Sequence, residues 1–297
     1  MEYIPAKTIV TKNKSGAWFG TDYNMNIYRG CSHGCIYCDS RSDCYRIEGF
    51  DQVRAKADAL RIIRDDLQRK VKTGVIGTGA MSDPYNPFEE ELKLTRHALE
   101  LINAFGFGVA IATKSPLVTR DIDILQDIKK QSPVIVKLSV STADDSLCRQ
   151  IEPRVAPASR RFAAIRALSA LGIYCGVILM PTLPFLTDTT DNILEIVRLA
   201  HENGAKFVYP AFGMTLRDGQ REYFYQKLDE SFPGLKERYI KRYGSRYECS
   251  SPKARELYTT FEQTCRELGL RYKMQSIAQD YKRGYEIDQL SWFSPDP

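Results

Sequence analysis

From about residue 22 to residue 211 the chain alternates short apolar runs with amphipathic periods, and nothing else in the sequence constrains its fold as strongly. Residues 73–79, 108–113, 133–140, 173–179 and 206–210 are short and rich in Val and Ile. Such runs predict strands of a parallel sheet covered on both faces. Between them lie helical periods. Val53, Ala57, Leu60, Leu67 and Val71 share one face, and Leu92, Leu99 and Ile102 another. Ile122, Leu125 and Ile128 continue the pattern, followed by Phe162, Ile165 and Leu168 and by Ile193, Ile196 and Leu199.

Repeated strand–helix units require right-handed crossovers and close into an open doubly wound α/β sheet or a barrel. A first strand within residues 22–28 brings the count to about six units, two short of a complete eightfold barrel. After residue 212 the strand signals fade and nine of the 17 tyrosines follow. The expected organisation is therefore a barrel-type unit over residues 1–212, with a loop at 30–44, and an α-helical C-terminal extension over 213–297 packed on it.

Composition bounds the class. The 297 residues are 43% hydrophobic and 27% charged, an ordinary globular balance. No apolar run approaches the roughly 18 residues of a membrane helix, and the first ten residues lack a signal-peptide pattern. The expected location is cytoplasmic. In a reducing cytosol eight cysteines suggest metal or redox chemistry where they cluster.

Three of them do. Cys31, Cys35 and Cys38 follow the first candidate strand with spacing C-x3-C-x2-C on a glycine-containing loop. Thiolates are the usual iron–sulfur ligands, and a [4Fe–4S] cube normally takes four. Three close ligands would leave one iron open to a small molecule. A closed zinc site would need a fourth ligand, for which His33 and Cys44 are the nearest candidates.

The motif, with Tyr37 immediately before its last cysteine, resembles the signature of the radical S-adenosylmethionine (SAM) superfamily. The segments around Asn26–Cys38, Ser82–Glu89, Thr113–Ser115 and Glu152–Arg154 further resemble its spore-photoproduct-lyase-like branch, often labelled "DNA repair photolyase". The resemblance implies a partial (β/α)6 TIM-type barrel and a [4Fe–4S] cluster on Cys31, Cys35 and Cys38, with SAM chelated to the open iron. It also implies an electron donor such as flavodoxin or ferredoxin, and reductive cleavage of SAM to a 5′-deoxyadenosyl radical that abstracts hydrogen from a substrate.

The SAM pocket needs polar groups, which a barrel of this kind carries at the carboxyl ends of its strands. Ser82, Asp83, Lys114, Ser139 and Ser141 all fall on that rim. Asp83 suits the ammonium of SAM and Lys114 its carboxylate. By resemblance Ser82, Asp83 and Lys114 contact SAM, with Ser139 or Ser141 near the ribose. Helix N-capping is the bland reading of the serines and Asp83. Arg154 either holds the SAM carboxylate or pairs with Glu152. Tyr37 either supports the adenine or excludes water. Cys175 and Cys265 fall on apolar faces and read as core.

Two departures from spore photoproduct lyase itself matter. Its hydrogen-donating cysteine stands just before the Ser-Asp pair, where this chain has Ala80 and Met81; and Asp39, not tyrosine, follows Cys38. The substrate is therefore open between nucleic acid and a peptide, protein or small metabolite. A non-catalytic binding protein stabilised by metal is the remaining alternative. For nucleic acid the main sequence support is residues 235–247, where Lys236, Arg238, Lys241, Arg242 and Arg246 outnumber Glu237 and carry most of the chain's +5. These bases could neutralise phosphates while Tyr239, Tyr243 and Tyr247, spaced every four residues, stack on unpaired bases. The alternative is a helix that packs its tyrosines on the barrel.

Overall fold

The computed structural model describes residues 1–285. Its strands are β1 (Glu2–Ile4), β2 (Val10–Lys12), β3 (Tyr23–Met25), β4 (Tyr28–Arg29), β5 (Arg54–Lys56), β6 (Val75–Thr78), β7 (Gly108–Thr113), β8 (Val134–Ser139), β9 (Cys175–Leu179), β10 (Phe207–Pro210), β11 (Gly213–Thr215) and β12 (Glu248–Ser250). Its helices are α1 (Ala59–Gln68), α2 (Glu89–Leu92), α3 (Leu94–Ala104), α4 (Ile122–Lys129), α5 (Asp145–Ile151), α6 (Ala158–Ala170), α7 (Thr190–Glu202), α8 (Gln220–Ser231), α9 (Leu235–Tyr243), α10 (Ala254–Glu267) and α11 (Met274–Lys282).

The main sheet has seven strands in the order β10-β9-β8-β7-β6-β3-β2. From β3 to β10 every neighbouring pair is parallel, and only the edge strand β2 runs antiparallel. The parallel strands match the six expected units, so this is an α/β partial barrel with helices outside it.

Side-chain alternation explains the layering. In β8, Val134, Val136 and Leu138 face the helices and join the main apolar core with Leu125, Ile165 and Leu168. Ile135 faces inward with Ala110 of β7, Ile178 of β9 and Phe207 of β10. Many upper inward positions are small, among them Gly77, Ala110 and Ala112, so the upper interior stays open as a cavity of about 460 Å³. The lower interior is filled by Phe19, Phe207, Ile277 and Tyr281, all buried.

That filling involves both ends of the chain. The loop between β2 and β3 lays Trp18 and Phe19 against Tyr209, with ring centroids 5.7 and 5.5 Å away. It thereby spans the gap between the sheet edges. From below, Tyr281 of α11 donates its hydroxyl to the Phe19 carbonyl at 2.7 Å.

Three expectations need correction. Val53 and Ala57 are not on a helix with Leu60 and Leu67, because β5 occupies residues 54–56 and α1 starts at Ala59. Val71 lies beyond α1 and is fully exposed. The extension after residue 212 is not purely helical. β11 and β12 pair antiparallel there and form one wall of a cavity at the barrel mouth.

Candidate active site

The loop that carries the three cysteines is pinned by backbone. Cys31 N–H donates to the Phe50 carbonyl at 2.8 Å, and Ile36 N–H to the Ile151 carbonyl at 3.0 Å. Gly30 turns the chain with φ +80°, and a Cβ there would meet the Gln52 carbonyl oxygen at 2.5 Å. Only glycine is tolerated in that combination of left-handed backbone and close approach.

None of the eight cysteines is paired in a disulfide. Cys31 and Cys35 are buried and Cys38 is partly buried, and burial pushes the Cys31 thiol up to about 11. A buried thiol loses its proton readily when a metal takes its place. His33 Nδ1 faces Asp83 at 3.6 Å, and exposed Cys44 receives Arg217 Nη1 at 3.4 Å. Among the described residues no three His, Cys, Asp or Glu side chains come together as a single-ion site. Three thiols on one short loop, without a fourth, suit a multi-iron cluster better than a closed zinc tetrahedron.

Above this loop the strand ends frame a cavity of about 570 Å³, whose lining includes Tyr37, Cys38, Lys114, Ser139, Thr215 and Glu248. Lys114 Nζ lies 5.7 Å from the Tyr37 ring centroid. Burial opposes its charge, but negative charge on the neighbouring Cys35 sulfur, as thiolate, and on the Glu152 carboxylate holds its pKa above the ordinary lysine value. Tyr37 donates its hydroxyl to Glu152 and stands 3.3 Å from Ser141 Oγ. Glu152 also receives Arg161, both side chains being about 1% exposed. Although burial opposes ionisation of Glu152, Arg161 and Lys114 hold its carboxyl below the usual range. The rim thus contains a closed network of Tyr37, Glu152 and Arg161.

The chain matches the family model described as the radical SAM superfamily over residues 25–200. The protein belongs to the radical SAM superfamily. An uncharacterised Mycobacterium tuberculosis protein is 31% identical over 247 residues, covering 81% of this chain and 72% of the relative. An uncharacterised Methanocaldococcus jannaschii protein is 31% identical over 169 residues, covering 57% of this chain and 63% of the relative. Among solved structures, spore photoproduct lyase complexed with dinucleoside spore photoproduct superposes with a TM-score of 0.67 at 14% identity, over 90% of this chain and 80% of that one. The radical SAM methyltransferase TsrM from Kitasatospora setae gives 0.53 at 10% identity, over 81% and 51%. The fold is that of spore photoproduct lyase.

Within this radical SAM fold the residues expected at the SAM site divide by their partners. Ser139 lines both cavities, and Lys114 lines the mouth. Ser82 instead donates to the Tyr28 carbonyl at 3.0 Å. Asp83 accepts from Thr113 Oγ1 at 2.6 Å, Lys114 N at 2.7 Å and Tyr85 N at 2.9 Å. It braces the loops after β6 and β7. None of Ser82, Asp83, Ser139 and Ser141 caps a helix. Asp144 caps α5 and Thr189 caps α7.

Two readings are corrected. Arg154 does not pair with Glu152, which is taken by Arg161; it reaches Asp51 at 3.0 Å on the outer side of the cysteine loop. Tyr239 and Tyr243 cannot stack on bases, because both are buried among Phe185, Phe224 and each other. Lys236 pairs with Asp229, and Arg238 lies over Phe185. Lys241, Arg242 and Arg246 remain exposed.

The sequence reading missed Arg161. Its signal was a basic residue on the same helical stripe as Ala158, Phe162 and Ile165, which marks a charge facing the core rather than solvent.

Proposed function

We propose that this protein is a radical SAM enzyme that holds a [4Fe–4S] cluster on Cys31, Cys35 and Cys38 and acts on a substrate bound inside the barrel. The single observation that carries this reading is the open three-cysteine loop facing a cavity that continues into the barrel through Ala80, Ser139 and Met180. When bound, the cluster and SAM supply, with one electron from a donor such as flavodoxin or ferredoxin, a 5′-deoxyadenosyl radical able to abstract hydrogen. The chain's own part is to bind, orient and keep water out. Lys114 offers a point charge to the SAM carboxylate, while Ser139 and Ser141 stand toward the ribose. Tyr37, locked by Glu152, keeps its ring against the cofactor side. Asp83 and Ser82 shape the pocket through the loops they tie. Arg154 supports the cysteine loop from outside.

By resemblance, spore photoproduct lyase carries its hydrogen-donating cysteine just before the Ser-Asp pair, where this chain has Ala80 and Met81 and no S–H to give; Ala80 lines both cavities. The repair reaction of that enzyme is therefore not the one proposed. A deuterated candidate substrate should transfer deuterium into 5′-deoxyadenosine; a substrate that binds yet never labels the product is ruled out as the hydrogen source.

A second reading, in which the substrate is part of a nucleic acid, is favoured by the exposed Lys241, Arg242 and Arg246. It is tested by salt-dependent binding of single-stranded and duplex nucleic acid to the wild type and to a K241Q/R242Q variant.

A further inference from the structure

Inside the barrel stands a charge that the proposed SAM site does not use. Lys137 occupies the middle of β8, on the inward face between Ile135 and Ser139. The apolar run that predicts this strand hides it, because its neighbours Val136 and Leu138 point the other way into the main core.

Lys137 is about 1% exposed. Among the described residues it forms no hydrogen bond and no ion pair, and its Nζ lies 4.6 Å from the centroid of the Phe19 ring. A cation over a ring recovers only a small part of the hydration an ammonium loses when it is buried without a counter-ion. The amine is therefore left uncompensated, and burial alone lowers its pKa to about 7.

The Lys137 amine opens on the upper cavity of the barrel. Its lining includes Lys137, Lys14, Asn13, Asn24, Trp18 and Ser139, and neither Asp nor Glu takes part. Two amines, the Asn24 amide and the Ser139 hydroxyl beside one aromatic wall make a chamber that offers donors without an acidic competitor, while the Asn13 amide already donates to Thr21 and to the Tyr23 carbonyl. Such a chamber complements an anion with several acceptor oxygens. It shares Ala80, Ser139 and Met180 with the cavity at the cysteine loop.

We propose that Lys137 is the oxyanion anchor of the substrate site, its ammonium pairing with a phosphate or carboxylate oxygen of the molecule bound in the barrel. That the bound molecule is the substrate rests on the function proposed above. The anion site itself rests on the cavity and its unpaired amine. The incoming anion supplies the missing counter-charge, so binding draws the lysine to its protonated form and fixes the ligand's polar end on β8.

The test is trace acetylation of the reconstituted enzyme with acetic anhydride under anaerobic conditions. The neutral amine attacks one carbonyl carbon, forming the N-acetyl bond and releasing acetate, with the amine proton passing to buffer. Peptide mass spectrometry reads labelling of Lys137 relative to Lys130, whose side chain is 76% exposed. The probes are inorganic phosphate, thymidine 5′-monophosphate, succinate and neutral thymidine. At a probe concentration about ten times its Kd, a bound anion should lower the Lys137 ratio roughly tenfold, while thymidine leaves it unchanged. Protection by the phosphate probes identifies a nucleotide-type source, and protection by succinate alone a carboxylate. The protecting anion should also raise the Tm of the wild type and not that of K137M. Three results would each overturn the proposal: no anion protects, thymidine protects as well as its monophosphate, or Lys137 is not acetylated. An anion-dependent Tm rise that persists in K137M would do so too. Release of 5′-deoxyadenosine on the same preparation reports the cofactor chemistry separately, so the two readings fail independently.

Discussion

The Tyr37 hydroxyl donates to Glu152, which lies 115 residues further along the chain and also receives the buried guanidinium of Arg161. One carboxylate thereby ties the residue before Cys38 to α6, the helix that precedes β9. Removing it leaves Arg161 charged and alone in the core. Glu152→Gln should cost about 3–5 kcal/mol of stability, and an E152L/R161M double variant should cost less than that single change. Anaerobic urea unfolding of the two variants measures this; a single-variant cost below about 1 kcal/mol would contradict the buried-pair account.

Lys114 and Arg154 separate two proposed roles that the sequence left together. Lys114 faces the mouth cavity, whereas Arg154 is 56% exposed and paired with Asp51 outside the cysteine loop. Lys114→Met should weaken SAM binding about tenfold or more, through loss of a charge-assisted contact. Arg154→Ala should stay within about twofold and change stability by no more than about 1 kcal/mol. Equilibrium dialysis of SAM against the anaerobic proteins gives both values, and a larger effect at Arg154 reverses the assignment.

The buried amine of Lys137 predicts a pH signature in stability. Its pKa falls from 10.5 to about 7 on folding, and Lys14 lines the same cavity. The unfolded chain keeps the proton up to pH 10.5, but the folded chain releases it above about 7. The stability penalty is thus full below pH 7 and shrinks as pH rises through that window. Relative to K137M, the wild type should gain up to about 1.4 kcal/mol per pH unit there. Urea midpoints of both proteins from pH 7 upward check this, and parallel profiles would refute it.

The basic stretch after residue 234 has two faces with different tasks. Tyr239 is fully buried and donates its hydroxyl to the Pro184 carbonyl at 2.9 Å. Tyr239→Ala should cost about 3–5 kcal/mol, as for other large aromatic truncations. The K241Q/R242Q variant should unfold within about 0.5 kcal/mol of wild type. If this face contacts phosphates, the same variant should also lower the salt slope of nucleic-acid binding by about 2. An unchanged slope removes these two residues from any such interface.

The barrel was legible because its strands are short apolar runs, buried on both faces and bounded by turn chemistry. Residues 108–113 were read as a strand and form β7 (Gly108–Thr113) with the same bounds. The three-residue strands β11 and β12 gave no signal, since Gly213–Thr215 and Glu248–Ser250 are too short and mixed to show a period. Tyr239 and Tyr243 misled in the opposite way. A spacing of four puts side chains on one helical face but does not say whether that face meets solvent or Phe224. At the site, the cysteine spacing was readable because it lies in eight consecutive residues. The Glu152–Arg161 pair and the cavity around Lys137 were not, because they depend on which way individual side chains turn from the sheet and helices. Charged residues set among apolar ones at 137 and 161 were the available clue.

The central claim is that Cys31, Cys35 and Cys38 hold a cluster that works on SAM, and anaerobic reconstitution with iron and sulfide tests it most directly. The wild type should bind about four irons per chain with broad visible absorption. With SAM and a strong reductant it should release 5′-deoxyadenosine, and Cys35→Ala should lose both signals. A colourless protein holding one zinc, or a fully loaded cluster that never yields 5′-deoxyadenosine, would contradict the account.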